Sequence, residues 1–120
     1  VPGGPGGPQT EELTAAGNIT VQELAAWFER GEDFQLIDVR EPHEAAICAI
    51  DGAELIPLGE LPGRLSEVDG ARTVVVHCKA GGRSAQAVKL LRKAGLARTY
   101  NLEGGILAWA REVEPSLAVY

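Results

Sequence analysis

The chain has 120 residues, 45% of them apolar and 23% charged, with a formal net charge of −6. These values describe an ordinary globular core, large enough to fold without a metal or a disulfide, and exclude a disordered, collagenous or coiled-coil chain. The acidic balance argues against nucleic acid as a partner, and no apolar run is long enough to span a membrane.

The first nine residues, Val-Pro-Gly-Gly-Pro-Gly-Gly-Pro-Gln, are too rich in Pro and Gly to pack. Residues 1–17 therefore read as a linker or tail, and 18–120 as one domain. The start is neither basic nor followed by an apolar stretch, so it does not read as a secretory signal. A first residue of Val suggests a fragment or processed chain, and the linker suggests an upstream neighbour. Two cysteines, Cys48 and Cys78, are too few for a disulfide scaffold or a zinc site of the usual spacing. No metal or cofactor is expected, and a reducing cytoplasm is the simplest compartment.

Thr20-Val21-Gln22-Glu23 is a capping box that starts a helix, with Leu24, Trp27 and Phe28 on one face and Gly31 as its stop. Phe34–Val39 reads as a strand, Pro42–Ile47 as a short helix and Ala53–Ile56 as a shorter strand. Leu58–Val68 reads as a helical turn or short helix. Thr73-Val74-Val75-Val76-His77 is the strongest strand, being β-branched along most of its length. Ser84–Ala94 reads as a helix closed by Gly95, Thr99–Leu102 as a strand and Ile106–Glu112 as a last helix. Alternating strands and helices, with consecutive apolar residues at Val74–Val76, predict an α/β fold with a mostly parallel sheet covered on both faces.

Charge is distributed unevenly. Residues 1–70 carry three basic and fourteen acidic side chains, residues 71–120 eight basic and three acidic. Part of that positive charge falls in the stretch Cys78-Lys79-Ala80-Gly81-Gly82-Arg83-Ser84, between the strongest strand and the strongest helix. Ligand sites of open α/β sheets form beyond the carboxyl ends of strands, where this loop must lie. Two adjacent glycines let the backbone curl and turn its N–H groups inward, and the following helix adds its positive end. Lys79 and Arg83 add full charges, and Arg83 is suited to hold an oxyanion with two parallel bonds.

Cys78 opens this cradle. A thiol of pKa about 8.5 is only about 3% ionised at pH 7, whereas one lowered to about 6.5 is roughly three-quarters ionised. The same field favours a persulfide anion, so the loop suits a covalent intermediate as well as the attack that forms it. His77 precedes Cys78 on the strand and faces the opposite way, which reads as structural. Cys48 lies in the apolar segment Ala45–Ile50 and reads as packing.

Taken together, these residues resemble a single rhodanese domain of the sulfurtransferase family over about residues 18–118. The resemblance rests on Leu36–Glu41, on Asp51-Gly52-Ala53 with Ile56-Pro57-Leu58, on the loop Cys78–Arg83, and on Leu102–Gly105 with Ala108-Trp109. Glu41-Pro42-His43-Glu44, Ile47-Cys48 and the tail Glu114–Leu117 and Tyr120 are similar, more narrowly, to the C-terminal domain of fused adenylyltransferase/sulfurtransferase proteins that serve ubiquitin-like sulfur carriers. One landmark differs: where many rhodaneses carry Gly-His-Ile-Pro-Gly-Ala, this chain has Cys48–Ala53.

The resemblance implies that Cys78 takes a sulfane sulfur from thiosulfate, or from a cysteine desulfurase persulfide, and passes it to a nucleophilic acceptor. Residues Lys79, Ala80, Gly81, Gly82, Arg83 and Ser84 would hold the donor and the outer sulfur, while Asp38 and Arg40 would organise the pocket. A ubiquitin-like carrier and an upstream adenylyltransferase domain are the implied partners. Two other readings remain open. Cys78 and Arg83 nearly match the loop of cysteine-dependent phosphatases and arsenate reductases, but enclose four residues rather than five, a cradle smaller than a tetrahedral phosphate favours. A non-catalytic binding module is the second, although such domains often lack the cysteine.

Overall fold

The computed structural model describes residues 17–120. The expected linker lies outside them except for Gly17.

Asn18–Ile19 form a two-residue strand, β1, too short to show in the sequence pattern. Thr20 then caps α1 (Val21–Arg30): its hydroxyl accepts the Glu23 N–H at 3.1 Å, and Glu23 Oε1 accepts the Thr20 N–H at 2.9 Å. Gly31 ends the helix at φ 68°, a left-handed conformation that favours glycine. The chain continues through β2 (Phe34–Asp38), α2 (Pro42–Ala45) and β3 (Glu54–Leu55). Leu58–Gly63 and Leu65–Glu67 are two 3₁₀ turns rather than one short helix, with Pro62 inside the first. Proline lacks the N–H that a longer helix needs there. β4 (Thr73–His77), α3 (Gly82–Lys93), β5 (Thr99–Leu102) and α4 (Gly105–Glu112) complete the order. α3 starts two residues earlier than the sequence pattern predicts.

All pairings are parallel, in the order β1-β5-β4-β2-β3. Successive strand residues feed opposite faces. Leu36 and Val75 join α1 and α4 in one core around Leu24, Trp27 and Ile106. Ile37, Val74 and Val76 join α3 in a second core around Leu61, Ala87 and Leu91. The helices thus cover both faces, as predicted. Each fully buried large apolar side chain in these cores contributes roughly 1.5–3 kcal/mol. From β2 the chain runs outward to β3, and from β4 it runs the opposite way to β5. The carboxyl ends of β2 and β4 therefore flank a topological switch point, where ligand crevices form in open α/β sheets.

Candidate active site

β4 ends at His77, and Cys78 is the first residue beyond it. The Gly81 N–H donates to Cys78 Sγ at 3.0 Å, and Ser84 Oγ lies 3.3 Å from the same sulfur. The loop can turn this tightly because Gly81 adopts φ 117° as the N-cap of α3. The loop carbonyls point the other way, into the first turn of α4. Ile106 N–H donates to Cys78 O at 3.0 Å and Leu107 N–H to Lys79 O at 3.1 Å. Gly105 permits that contact: at φ 61°, a Cβ there would lie 2.4 Å from Lys79 O. With its carbonyls engaged by α4, the loop keeps its amide hydrogens for the sulfur.

Burial raises the pKa of the Cys78 thiol, but the Ser84 hydroxyl and the peptide N–H groups of Ser84, Gly81 and Ala80 outweigh it. The net direction is downward, toward thiolate. Cys78 is only 1% exposed, so the loop encloses the thiol almost completely.

Ser84 introduces a residue that sequence reasoning missed. Its hydroxyl donates to Asn101 Oδ1 at 2.5 Å. A hydroxyl has one hydrogen, so Asn101, the Gly81 carbonyl at 3.3 Å and a Cys78 thiolate compete for it. Asn101 sits on β5, 17 positions away in sequence, and an isolated Asn on a strand carries no signal of its own.

Arg83 does not stand open to an anion. Its two terminal nitrogens grip the Glu44 carboxylate, at 2.6 Å and 2.9 Å. This corrects the expectation of a free oxyanion clamp: Glu44 already supplies the matching fork. The pair raises the pKa of Arg83 and holds that of Glu44 far below the usual carboxylate range. Glu44 also accepts the Tyr120 hydroxyl at 2.8 Å, and that hydroxyl accepts from Arg40 Nη1 at 3.0 Å. Lys79, the other expected cation, rests its ammonium 4.3 Å from the centre of the Tyr120 ring.

Asp38 and Arg40 form a buried pair at the end of β2, with Arg40 Nη2 2.7 Å from Asp38 Oδ2. Arg40 also donates to the Cys48 carbonyl at 2.7 Å, tying β2 to the loop after α2. Neither side chain hydrogen-bonds to Cys78 Sγ. His77 points its Nδ1 at the Cys78 carbonyl, 3.2 Å away, while its Nε2 has no hydrogen-bond partner and lies 3.8 Å from Asp38. Burial lowers the pKa of this imidazole and keeps it neutral. Cys48 packs in the core of α1 and α4. Among the described residues, no cluster of three or more His, Cys, Asp or Glu is placed to hold a metal ion, and no helix is long and apolar enough to cross a membrane.

Residues 20–112 match the family of Rhodanese-like domains. The chain is 42% identical over 104 residues to the probable adenylyltransferase/sulfurtransferase MoeZ of Mycobacterium tuberculosis, covering 85% of this chain and 26% of that protein. It therefore spans about a quarter of that relative's length. A sulfurtransferase of Allochromatium vinosum is 44% identical over 87 residues, covering 72% of this chain and 81% of that one. The crystal structure of SSP1007 from Staphylococcus saprophyticus superimposes with a TM-score of 0.74 at 38% identity, covering 80% of this chain and 95% of the other. With a parallel five-stranded sheet, a cysteine loop beyond β4 and these likenesses, the chain belongs to the rhodanese-like sulfurtransferase family.

Proposed function

We propose that Cys78 is the nucleophile of a sulfur transfer that passes through a cysteine persulfide. The observation carrying this reading is the convergence of the Gly81 N–H and the Ser84 hydroxyl on Cys78 Sγ, which favours a thiolate and then a persulfide anion. With thiosulfate, the thiolate attacks the sulfane sulfur. A new S–S bond forms, the donor's S–S bond breaks, and sulfite leaves with the electron pair. A nucleophilic acceptor then attacks the outer sulfur and releases the Cys78 thiolate. The amides of Lys79, Ala80, Gly81, Gly82, Arg83 and Ser84 hold the outer sulfur, while Asp38 and Arg40 brace the pocket from the end of β2.

The likeness to MoeZ supports a ubiquitin-like sulfur carrier as acceptor, activated by an adenylyltransferase domain upstream, and a place in molybdopterin-type biosynthesis. Such an activated carrier is an electrophile, so with it the outer sulfur of the Cys78 persulfide attacks the acyl carbonyl and the adenylate leaves; a dithiol reductant then cleaves the acyl disulfide to the carrier thiocarboxylate and the Cys78 thiolate. A protein persulfide is the alternative donor to thiosulfate.

The test is intact mass after incubation with thiosulfate. One sulfur atom should add to Cys78 and none to Cys48, and cyanide should remove it as thiocyanate. A Cys78→Ser protein that still made thiocyanate would refute the assignment.

A further inference from the structure

Both cations expected to receive an anionic donor are held by internal partners, and Tyr120 touches both partnerships: it carries Lys79 on its ring and, together with the Glu41 N–H, braces the Glu44 carboxylate that pairs with Arg83. The Tyr120 ring carries the Lys79 ammonium at 4.3 Å. Its hydroxyl donates to Glu44 Oε2 at 2.8 Å, and the same carboxylate holds the Arg83 fork. Arg40, fully buried, donates to that hydroxyl at 3.0 Å, which fixes the direction in which the phenol hydrogen points.

We infer that Tyr120 is a specificity-determining residue of the Cys78 site. It seats Lys79 and, through Glu44, Arg83 in internal pairs, so that the site discriminates against small dianionic sulfur donors and favours persulfides of low charge. This rests on Cys78 being the sulfur-accepting nucleophile. A dianion that recruits Arg83 must displace a carboxylate whose side chain is only 10% exposed, or sit beside it as a like charge. One that recruits Lys79 must draw the ammonium off the ring. A persulfide carries at most one charge on the reacting sulfur and can dock on the amides alone.

Two alkylating agents of the same chemistry separate charge from reactivity: iodoacetate is an anion and iodoacetamide is neutral. Their rate ratio at Cys78, read by mass spectrometry, reports whether free cations face the sulfur, independently of any sulfur transfer. Tyr120→Leu and Glu44→Gln should each raise the ratio of iodoacetate to iodoacetamide about fivefold. Tyr120→Phe keeps the ring under Lys79 and should raise it less. In sulfur transfer, the KM for thiosulfate should fall in the same variants while kcat with an alkyl persulfide holds.

An unchanged ratio in both Tyr120→Leu and Glu44→Gln would overturn the inference. Circular dichroism and urea unfolding of each variant flag a loss of fold. If Tyr120→Leu shows it, Glu44→Gln, which leaves the ring in place, decides the outcome. A wild-type chain that gained no sulfur from an alkyl persulfide would sink the reaction instead, while the alkylation ratio would still report the discrimination by charge.

Discussion

The loop that cradles Cys78 and the charged relay beside it are assembled in different ways. The loop runs from residue 78 to 84, and its parts lie next to one another in the chain. The relay passes from Asp38 through Arg40, Tyr120 and Glu44 to Arg83, and its longest step joins residues 80 positions apart. The loop acts on the reacting sulfur through hydrogen bonds to that atom. The relay meets the loop at Arg83, whose charge is felt by Cys78, but it makes no hydrogen bond to the sulfur and acts by fixing where charges sit. Damage to the relay should therefore appear first as lost stability, and damage to the loop as altered thiol chemistry.

The largest effect expected from breaking this contrast comes from the relay. Arg40→Met leaves the buried Asp38 carboxylate without its partner, an effect of about 3–5 kcal/mol. That is a large share of the ~5–15 kcal/mol by which such domains are stable. Urea unfolding should show a strongly lowered midpoint. A midpoint close to wild type would mean that water or Tyr120 replaces Arg40, and that the relay is not what joins β2 to the tail.

Next in size is the support beneath the loop. At Gly105 an added methyl meets Lys79 O at 2.4 Å, whereas at Gly31, also left-handed, it meets nothing within 4 Å. Gly31→Ala therefore measures backbone strain alone, about 1–2 kcal/mol. Gly105→Ala adds the displacement of the loop carbonyls, giving a loss nearer 3 kcal/mol and a Tm drop of roughly 10 °C or more. Its distinctive mark is slower sulfur loading at a temperature where both variants are folded. Equal loading in the two would show that α4 supports the fold but not the orientation of the amides.

The same contrast explains what could be read from the sequence. β4, α1 with its capping box and the cysteine loop each depend on neighbouring residues, so periodicity, caps and paired glycines reveal them. The family resemblance also rests on such contiguous runs. Glu44, Tyr120 and Asn101 escaped assignment because their roles depend on pairings 39, 76 and 17 positions distant. A surface-patterned Glu and a tail Tyr look the same whether or not a fold brings an arginine to them. The occupied state of Arg83 follows from this. The charge asymmetry correctly placed cations by the loop, but the acidic half of the chain supplies the carboxylate that takes one of them. β1 was unreadable for a different reason, since two residues define no alternation.

The smallest effect should come from a single atom in the loop. Ser84 Oγ lies 3.3 Å from Cys78 Sγ and 2.5 Å from Asn101 Oδ1, and it has one hydrogen to give. In the thiol form the sulfur can donate to the hydroxyl, which passes its own hydrogen to Asn101. On ionisation the sulfur becomes the stronger acceptor and the hydroxyl must turn toward it. The hydroxyl is the first of the groups that lower the pKa of Cys78 against the upward push of burial. Removing it in Ser84→Ala leaves the amides to oppose burial alone, so the pKa must rise. The iodoacetamide rate at neutral pH should fall about tenfold, the worth of one charge-assisted bond. The rate should recover toward wild type as pH increases, because only the fraction of thiolate has changed. Asn101→Ala should move the profile the opposite way, since it removes the nearest competitor for the same hydrogen and leaves only the Gly81 carbonyl at 3.3 Å. If both variants shifted the profile upward, Asn101 would be orienting Ser84 rather than competing with the sulfur, and the hydroxyl would be acting through position instead of through its hydrogen.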